Sequence, residues 1–257
     1  MDGGIDLPPF YGLTALETVG STNLEARALA DAGADEGTLV WAKRQEQGVG
    51  RRGRQWSSSE GNLYCSLILR PECDPSSAAR LSFLTALAIR RAVTKFVDPG
   101  TDVRLKWPND VLIGGCKSAG ILLESKMKPD GQMSYVIVGT GINIATYPEI
   151  TDGLPAISLT KVGADVTVKE VLSAYGYAFL DLYMSWKRDG FAPIQEEWLA
   201  HATGLGGRIT VRLSNETLEG VFSDLDNNGA LILSMDNGQR KMITAGEVFI
   251  VPSAPTE

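Results

Sequence analysis

Apolar positions along the chain fall into two periodicities. After Gly20-Ser21-Thr22-Asn23, the positions Leu24, Ala28 and Leu29 recur at helical spacing and predict a helix to about Ala32. Thr38 to Ala42 and Asn62 to Leu69 read as strands on either side of a loop rich in glycine and arginine. Leu81, Leu84 and Ala88 repeat on one helical face, so a long helix is expected from Ser76-Ser77 to the Pro99-Gly100 stop. Strands are expected at Val103–Trp107, Val111–Ile113, Ala119–Glu124 and Ser134–Val138, with Gly114-Gly115 as a tight hairpin turn. Thr167-Val168-Lys169-Glu170 has the spacing of a capping box and opens a helix that ends near Gly190. A short helix from Pro193 to Ala202 follows.

The character changes after Gly204-Leu205-Gly206-Gly207. Ile209–Leu213, Thr217–Phe222, Ala230–Leu233, Lys241–Thr244 and Glu247–Val251 are short alternating runs, separated by Asn227-Asn228-Gly229 and Asp236-Asn237-Gly238. Turn signals at this spacing suggest a small β-barrel. The expected division is therefore residues 1–204 and residues 205–257.

Composition narrows the classes. The longest apolar runs, Leu67-Ile68-Leu69 and Val136-Ile137-Val138, are far shorter than a membrane span. The N-terminal MDGGIDLPPF has no basic stretch followed by an apolar block, so no signal peptide is expected. Three cysteines (Cys65, Cys73, Cys116) at no metal spacing and a single histidine, His201, leave little for zinc sites or histidine triads, and suit a reducing cytoplasm. The net charge of −7 argues against nucleic-acid affinity. Lys43 to Arg54 nevertheless carries five cations against one anion, leaving −11 for the rest of the chain. Positive charge concentrated in one glycine-bearing loop points to a small-anion site.

That loop, Gly48-Val49-Gly50-Arg51-Arg52-Gly53-Arg54-Gln55-Trp56, formally satisfies G-x-G-x-x-G. A dinucleotide fingerprint needs a helix after the loop, and here an apolar strand follows instead. Glycine-freed amides together with guanidinium groups fit an anion wrap, and a solvated basic hairpin is the plain alternative. In Lys106-Trp107-Pro108-Asn109-Asp110 the proline holds Trp107 extended and places Asn109-Asp110 at a turn, which alone is an ordinary turn. Lys117 begins an otherwise apolar strand beside the small residues Ser118, Ala119 and Gly120, where a ligand can approach or where the lysine simply meets water. Gly139-Thr140-Gly141-Ile142-Asn143 permits close backbone approach at a strand end, or a bulge. Thr22 with Glu25 has capping-box spacing of its own.

The order and spacing of these segments decide more than any one of them. Ser-Thr-Asn, the Gly/Arg loop ending in Trp56, Lys-Trp-Pro-Asn-Asp, Lys-x-Ala-Gly-Ile and Gly-Ile-Asn together resemble the biotin protein ligase family, over nearly the whole chain. The resemblance implies an α+β fold: a mixed sheet flanked by helices, related to class II aminoacyl-tRNA synthetase cores, with a small SH3-like C-terminal barrel. It implies that biotin and ATP form biotinyl-5′-AMP and pyrophosphate, and that biotin passes to one lysine of a biotin carboxyl carrier domain. Ser21, Thr22, Asn23 and Gln45 would line the biotin pocket, with Gly120 leaving it room. Gly48, Val49, Gly50 and Arg51 would close over biotin and its adenylate. Arg54, Trp56, Asn109, Asp110 and Asn143 would hold the nucleotide, with Asp110 a candidate Mg²⁺ ligand and a candidate base for transfer. Lys117 and Arg51 would be the catalytic cations, with Lys117 meeting the biotin carboxylate and the α-phosphate.

Many relatives have arginine at the position of Val49. Valine is harmless if that position works through its main chain, and weakens nucleotide binding if charge counts. Larger members add an N-terminal DNA-binding domain, for which the residues before Ser21 are too few, so no repressor activity is expected. The expected state is a cytoplasmic monomer or weak homodimer. A lipoate or octanoate ligase is the nearest competing reading, and a non-catalytic binding module is the alternative from another class.

Overall fold

The computed structural model describes residues 4–149 and 154–250. A seven-stranded sheet runs in the order β1-β2-β3-β7-β6-β5-β4. Its strands are β1 (Gly12–Val19), β2 (Thr38–Gln45), β3 (Leu63–Leu69), β4 (Val103–Lys106), β5 (Asp110–Ile113), β6 (Cys116–Met127) and β7 (Met133–Ile142). β1 and β2 are parallel and the remaining neighbours antiparallel, so the sheet is mixed.

Side-chain alternation divides the labour between its faces. Leu63, Cys65, Leu67 and Leu69 of β3, Ala119 and Ile121 of β6, and Val136 and Val138 of β7 join one large core with helices α3 (Leu81–Val93) and α4 (Val168–Asp189). In that core the Cys65 thiol is fully buried and pushed up to about 12, which leaves it an inert packing group. The opposite face has a smaller cluster, in which α1 (Thr22–Asp31) sets Ala26 and Ala30 against Val40, Ile68 and Ile137. Beyond that cluster the same face carries Tyr64, Ser66, Gly120, Gly139 and Gly141. All of these but the fully buried Ser66 line a cavity.

A second sheet, in the order β11-β10-β9-β8-β12, comprises β8 (Arg208–Arg212), β9 (Thr217–Leu225), β10 (Leu231–Ser234), β11 (Arg240–Ile243) and β12 (Glu247–Ile250). It docks through the Asn227-Asn228-Gly229 turn. Gly229 lies against the Phe83 ring with no room for a Cβ, and its carbonyl accepts the indole N–H of Trp107 at 3.0 Å. Gln195, on α5 (Ala192–Ala200), donates to the Leu225 carbonyl at 2.9 Å. This docking brings the β8 end and β12 to the cavity mouth.

Several sequence expectations need correction. β1 has no counterpart among them, because its edge position leaves no face buried and its apolar signal is weak. The expected single helix from Ser76 is two: α2 (Pro75–Ala78) and α3, which ends at Val93, where the Thr94 hydroxyl takes the Arg90 carbonyl. Gly139 and Gly141 lie inside β7, not at its end. The capping box at Thr167 forms as expected, whereas that at Thr22 does not: Ser21 is the N-cap and makes no side-chain cap bond. Val251, the expected last strand residue, lies outside the described residues.

Candidate active site

The cavity measures about 520 Å³. It is walled by the start of α1, the Gly/Arg loop, the β4–β5 corner, β6, β7 and the C-terminal sheet. Every site residue named from the sequence lies on this wall except Gly48. Gly48 acts one step back. A Cβ there would fall 2.5 Å from the Trp56 carbonyl, and its own carbonyl accepts the Trp56 amide at 2.9 Å. With Gly50 N–H donating to Arg54 O at 2.7 Å and Val49 bridging Gln55, the loop is a hairpin turned at Arg51–Gly53, where Arg52 is left-handed at φ 57°. No helix follows it, so the dinucleotide fingerprint is absent in fact as well as in expectation.

One part of the wall is uncharged and hydrogen-bonded. Ser21, Thr22 and Asn23 are buried at the start of α1. The Thr22 hydroxyl and amide both donate to Gln45 Oε1, at 3.0 and 2.8 Å, which is why no cap forms there. Gln45 Nε2 donates to Ser58 Oγ at 2.9 Å, and Ser58 in turn to the Trp56 carbonyl at 2.9 Å. Ser66, fully buried on β3, reaches Thr22 Oγ1 at 2.8 Å and Asn23 Oδ1 at 2.6 Å. Sequence reading missed Ser58 and Ser66, because isolated serines carry no signal without the tertiary register.

Another part is cationic. Arg51, Arg52, Arg54, Lys106, Lys117 and Arg212 line the cavity against two carboxylates, Asp110 and Glu247. That excess of four positive charges suits a polyanion. Asp110 pairs with Lys117 at 2.5 Å and stands 3.9 Å from Lys106. Arg51 donates to Asn109 Oδ1 at 2.9 Å, and Asn109 Nδ2 donates to the Ile121 carbonyl at 2.7 Å, so the Pro-Asn-Asp turn holds both partners in place. Burial lowers the pKa of Arg51 and of Lys106 despite the nearby Asp110. The sequence assigns Lys106 no role, although it ends an apolar strand just as Lys117 begins one. Arg54 turns to Glu247 in a two-bond ion pair at 2.8 and 2.6 Å, and that pair lowers the Glu247 pKa.

The Trp56 ring lies on the two strand glycines. A Cβ on Gly141 would sit 2.6 Å from Trp56 Cε2, and one on Gly120 3.0 Å from Cζ3. The Lys117 ammonium stands 5.4 Å from the ring centroid. Trp56 Nε1 is buried and has no hydrogen-bond partner among the described residues. Asn143 is buried, with its backbone N–H donating to the Ser118 carbonyl at 2.8 Å and its side-chain Nδ2 to the Lys117 carbonyl at 3.4 Å. No cluster of three metal-ligating side chains occurs among the described residues, and Asp110 is already engaged by lysine, so this wall does not fit a resident metal ion. A Mg²⁺ ion would enter with the phosphates that carry it.

A wall of neutral hydrogen-bonding groups beside a cationic one suits an enzyme that brings an uncharged organic group and a phosphate-bearing one together. Comparison with known proteins gives that class its family. Residues 18–143 match the Biotin/lipoate A/B protein ligase family, and residues 204–251 match the Biotin protein ligase C terminal domain. A biotin–[acetyl-CoA-carboxylase] ligase of Paracoccus denitrificans is 40% identical over 234 residues, 89% of this chain and 96% of that protein. The bifunctional ligase/repressor BirA of Bacillus subtilis (strain 168) is 36% identical over 89% of this chain and 71% of its own length. The structure of a biotin protein ligase from Aquifex aeolicus in complex with biotin and ATP superposes with a TM-score of 0.78 at 29% identity, covering 94% of this chain and 99% of that one. The chain belongs to the biotin protein ligase family.

Proposed function

We propose that this chain activates biotin with Mg-ATP to biotinyl-5′-AMP and transfers biotin to a lysine of a biotin carboxyl carrier domain. The observation that carries the reading is one cavity in which the Thr22–Gln45 hydrogen-bonded wall adjoins the Lys117–Asp110–Lys106 cluster and Arg51. Biotin's ureido group lies against the wall lined by Ser21, Thr22, Asn23 and Gln45, and Gly120 makes room for its ring. Its carboxylate attacks the α-phosphorus and expels pyrophosphate. Both reactants are anions, so catalysis consists of positioning and of fixed positive charge where phosphate charge shifts. Lys117 and Arg51 supply that charge. Trp56, Asn143 and Asn109 hold the nucleotide, Arg54 and Gly50 shape the loop over it, and Mg²⁺ would enter with ATP as the counter-ion of its phosphates, with Asp110 the nearest carboxylate candidate to meet it. In the second step the acceptor amine attacks the acyl carbon and AMP leaves, with Asp110 as the base.

Residues 1–204 form the catalytic unit in this reading, and residues 205–257 an SH3-like one whose Arg212 and Glu247 complete the mouth. The expected partners are biotin, ATP and the carrier domain, with no nucleic acid, in a cytoplasmic monomer or weak homodimer. The charge of −7 supports the first exclusion, and no helix among the described residues is long and apolar enough to cross a membrane. The test is intact mass spectrometry of a carrier domain incubated with the chain, biotin and Mg-ATP. One biotinyl adduct on one lysine is expected, and an unmodified carrier would overturn the proposal.

A further inference from the structure

Three oxygen–oxygen contacts run from Asn23 to Gln45 under the uncharged wall. Asn23 Oδ1 to Ser66 Oγ is 2.6 Å, Ser66 Oγ to Thr22 Oγ1 is 2.8 Å, and Thr22 Oγ1 to Gln45 Oε1 is 3.0 Å. Each contact needs one proton, and the two hydroxyls supply only two. Both ends are fixed as acceptors. Gln45 Oε1 is held by the Thr22 amide at 2.8 Å, while its nitrogen is spent on Ser58. The Asn23 amide is turned by Glu124, whose Oε2 accepts Asn23 Nδ2 at 2.8 Å, which leaves Oδ1 facing Ser66. Glu124 Oε1 is taken by the Arg27 guanidinium, so neither carboxylate oxygen has a proton to give. The chain of contacts is one proton short.

A ligand N–H directed between Thr22 Oγ1 and Gln45 Oε1 can be shared by both oxygens, which frees the Thr22 hydroxyl to donate to Ser66 and the Ser66 hydroxyl to donate to Asn23, so that no pair of acceptors faces each other without a donor. A carboxylic acid with a plain aliphatic or dithiolane tail has no such hydrogen to give. We infer that Glu124 is a positioning residue for specificity: without touching the ligand, it sets the direction of the Asn23 amide and thereby makes the pocket demand an N–H donor such as that of a cyclic urea. The inference rests on the biotin reading proposed above.

The charge on Glu124 is what matters, because its shape is kept by glutamine. In Glu124→Gln the facing amides can both turn over. Asn23 then donates to Ser66, Ser66 to Thr22 and Thr22 to Gln45, so the contacts are satisfied without ligand and the demand disappears. In the double variant Asn23→Asp/Glu124→Gln the carboxylate has changed sides. Residue 23 is again an acceptor only, the glutamine nitrogen donates to it, and the glutamine oxygen meets Arg27.

The experiment is steady-state pyrophosphate release with Mg-ATP and varied biotin, for wild type and the two variants. Glu124→Gln is expected to raise KM for biotin about tenfold, the scale of one lost hydrogen bond, with kcat within twofold and unfolding temperature unchanged. The double variant is expected to return KM to within about threefold of wild type. A residue that merely packs would leave KM unmoved in Glu124→Gln and would gain nothing from the swap. Either of those results, with wild type active on biotin, overturns the role of Glu124 alone. Wild type that ignores biotin and turns over lipoate or octanoate overturns the biotin reading beneath it.

Discussion

Lys117→Ala separates catalysis from folding at this site. The Lys117 ammonium lies 2.5 Å from Asp110 and 5.4 Å from the Trp56 ring centroid, and its side chain is a quarter exposed. Alanine removes an ammonium that stands against both the acidic turn and the Trp56 ring proposed to hold the nucleotide. Losing one preorganised donor of this kind costs roughly 10²–10³ in rate, or about 2.7–4 kcal/mol of transition-state stabilisation. Folding should suffer less. Asp110 retains Lys106 at 3.9 Å, so its charge is not left alone, and a cost of about 1–2 kcal/mol is expected. The assay is pyrophosphate release at saturating biotin and ATP, run beside a thermal melt of the same preparation. Lys117→Arg restores charge but not the compact ammonium and should recover only part of the loss. Pyrophosphate release within tenfold of wild type in Lys117→Ala would refute the electrostatic role, whatever the melt shows.

Other perturbations test the surroundings of this lysine. Gly141→Ala places a Cβ 2.6 Å from Trp56 and must displace the ring, at about 1–3 kcal/mol, so KM for ATP should rise roughly tenfold while KM for biotin changes little. Burial lowers the Lys106 pKa, so its ammonium loses its proton on alkalinisation earlier than an exposed lysine does. KM for ATP should therefore climb at alkaline pH in wild type, and Lys106→Gln should start high and lack that step. Val49 contributes through its main-chain bridge to Gln55, and its side chain is half exposed at the mouth. Val49→Arg should lower KM for ATP no more than about fivefold, and a larger gain would show that the missing charge limits this enzyme.

How much of this was legible before folding depended on what each residue's neighbours in sequence could reveal. Lys117 and Asn109-Asp110 stood out because charged or turn-forming residues interrupt apolar strands, and Arg51 because positive charge is concentrated in a glycine-bearing loop; the structure brings Arg51 to Asn109 and Lys117 to Asp110. Thr22 was ambiguous: its spacing to Glu25 suits a cap, and only the distant Gln45 decides that its hydroxyl points into the cavity. Gly139 and Gly141 read as a strand end because glycine weakens strands. They are strand interior because Asn23 and Trp56 lie where their side chains would be. Glu124, Ser66, Arg212 and Glu247 were illegible. Each becomes part of the site through packing between segments far apart in sequence, and no local pattern records that packing.

Pyrophosphate release with Mg-ATP, offered biotin, lipoate or octanoate separately and with no acceptor protein, measures the first half-reaction alone. Biotin activation by this chain predicts release with biotin and none above background with the other two acids. Release with lipoate or octanoate in place of biotin, or silence with all three, would contradict it.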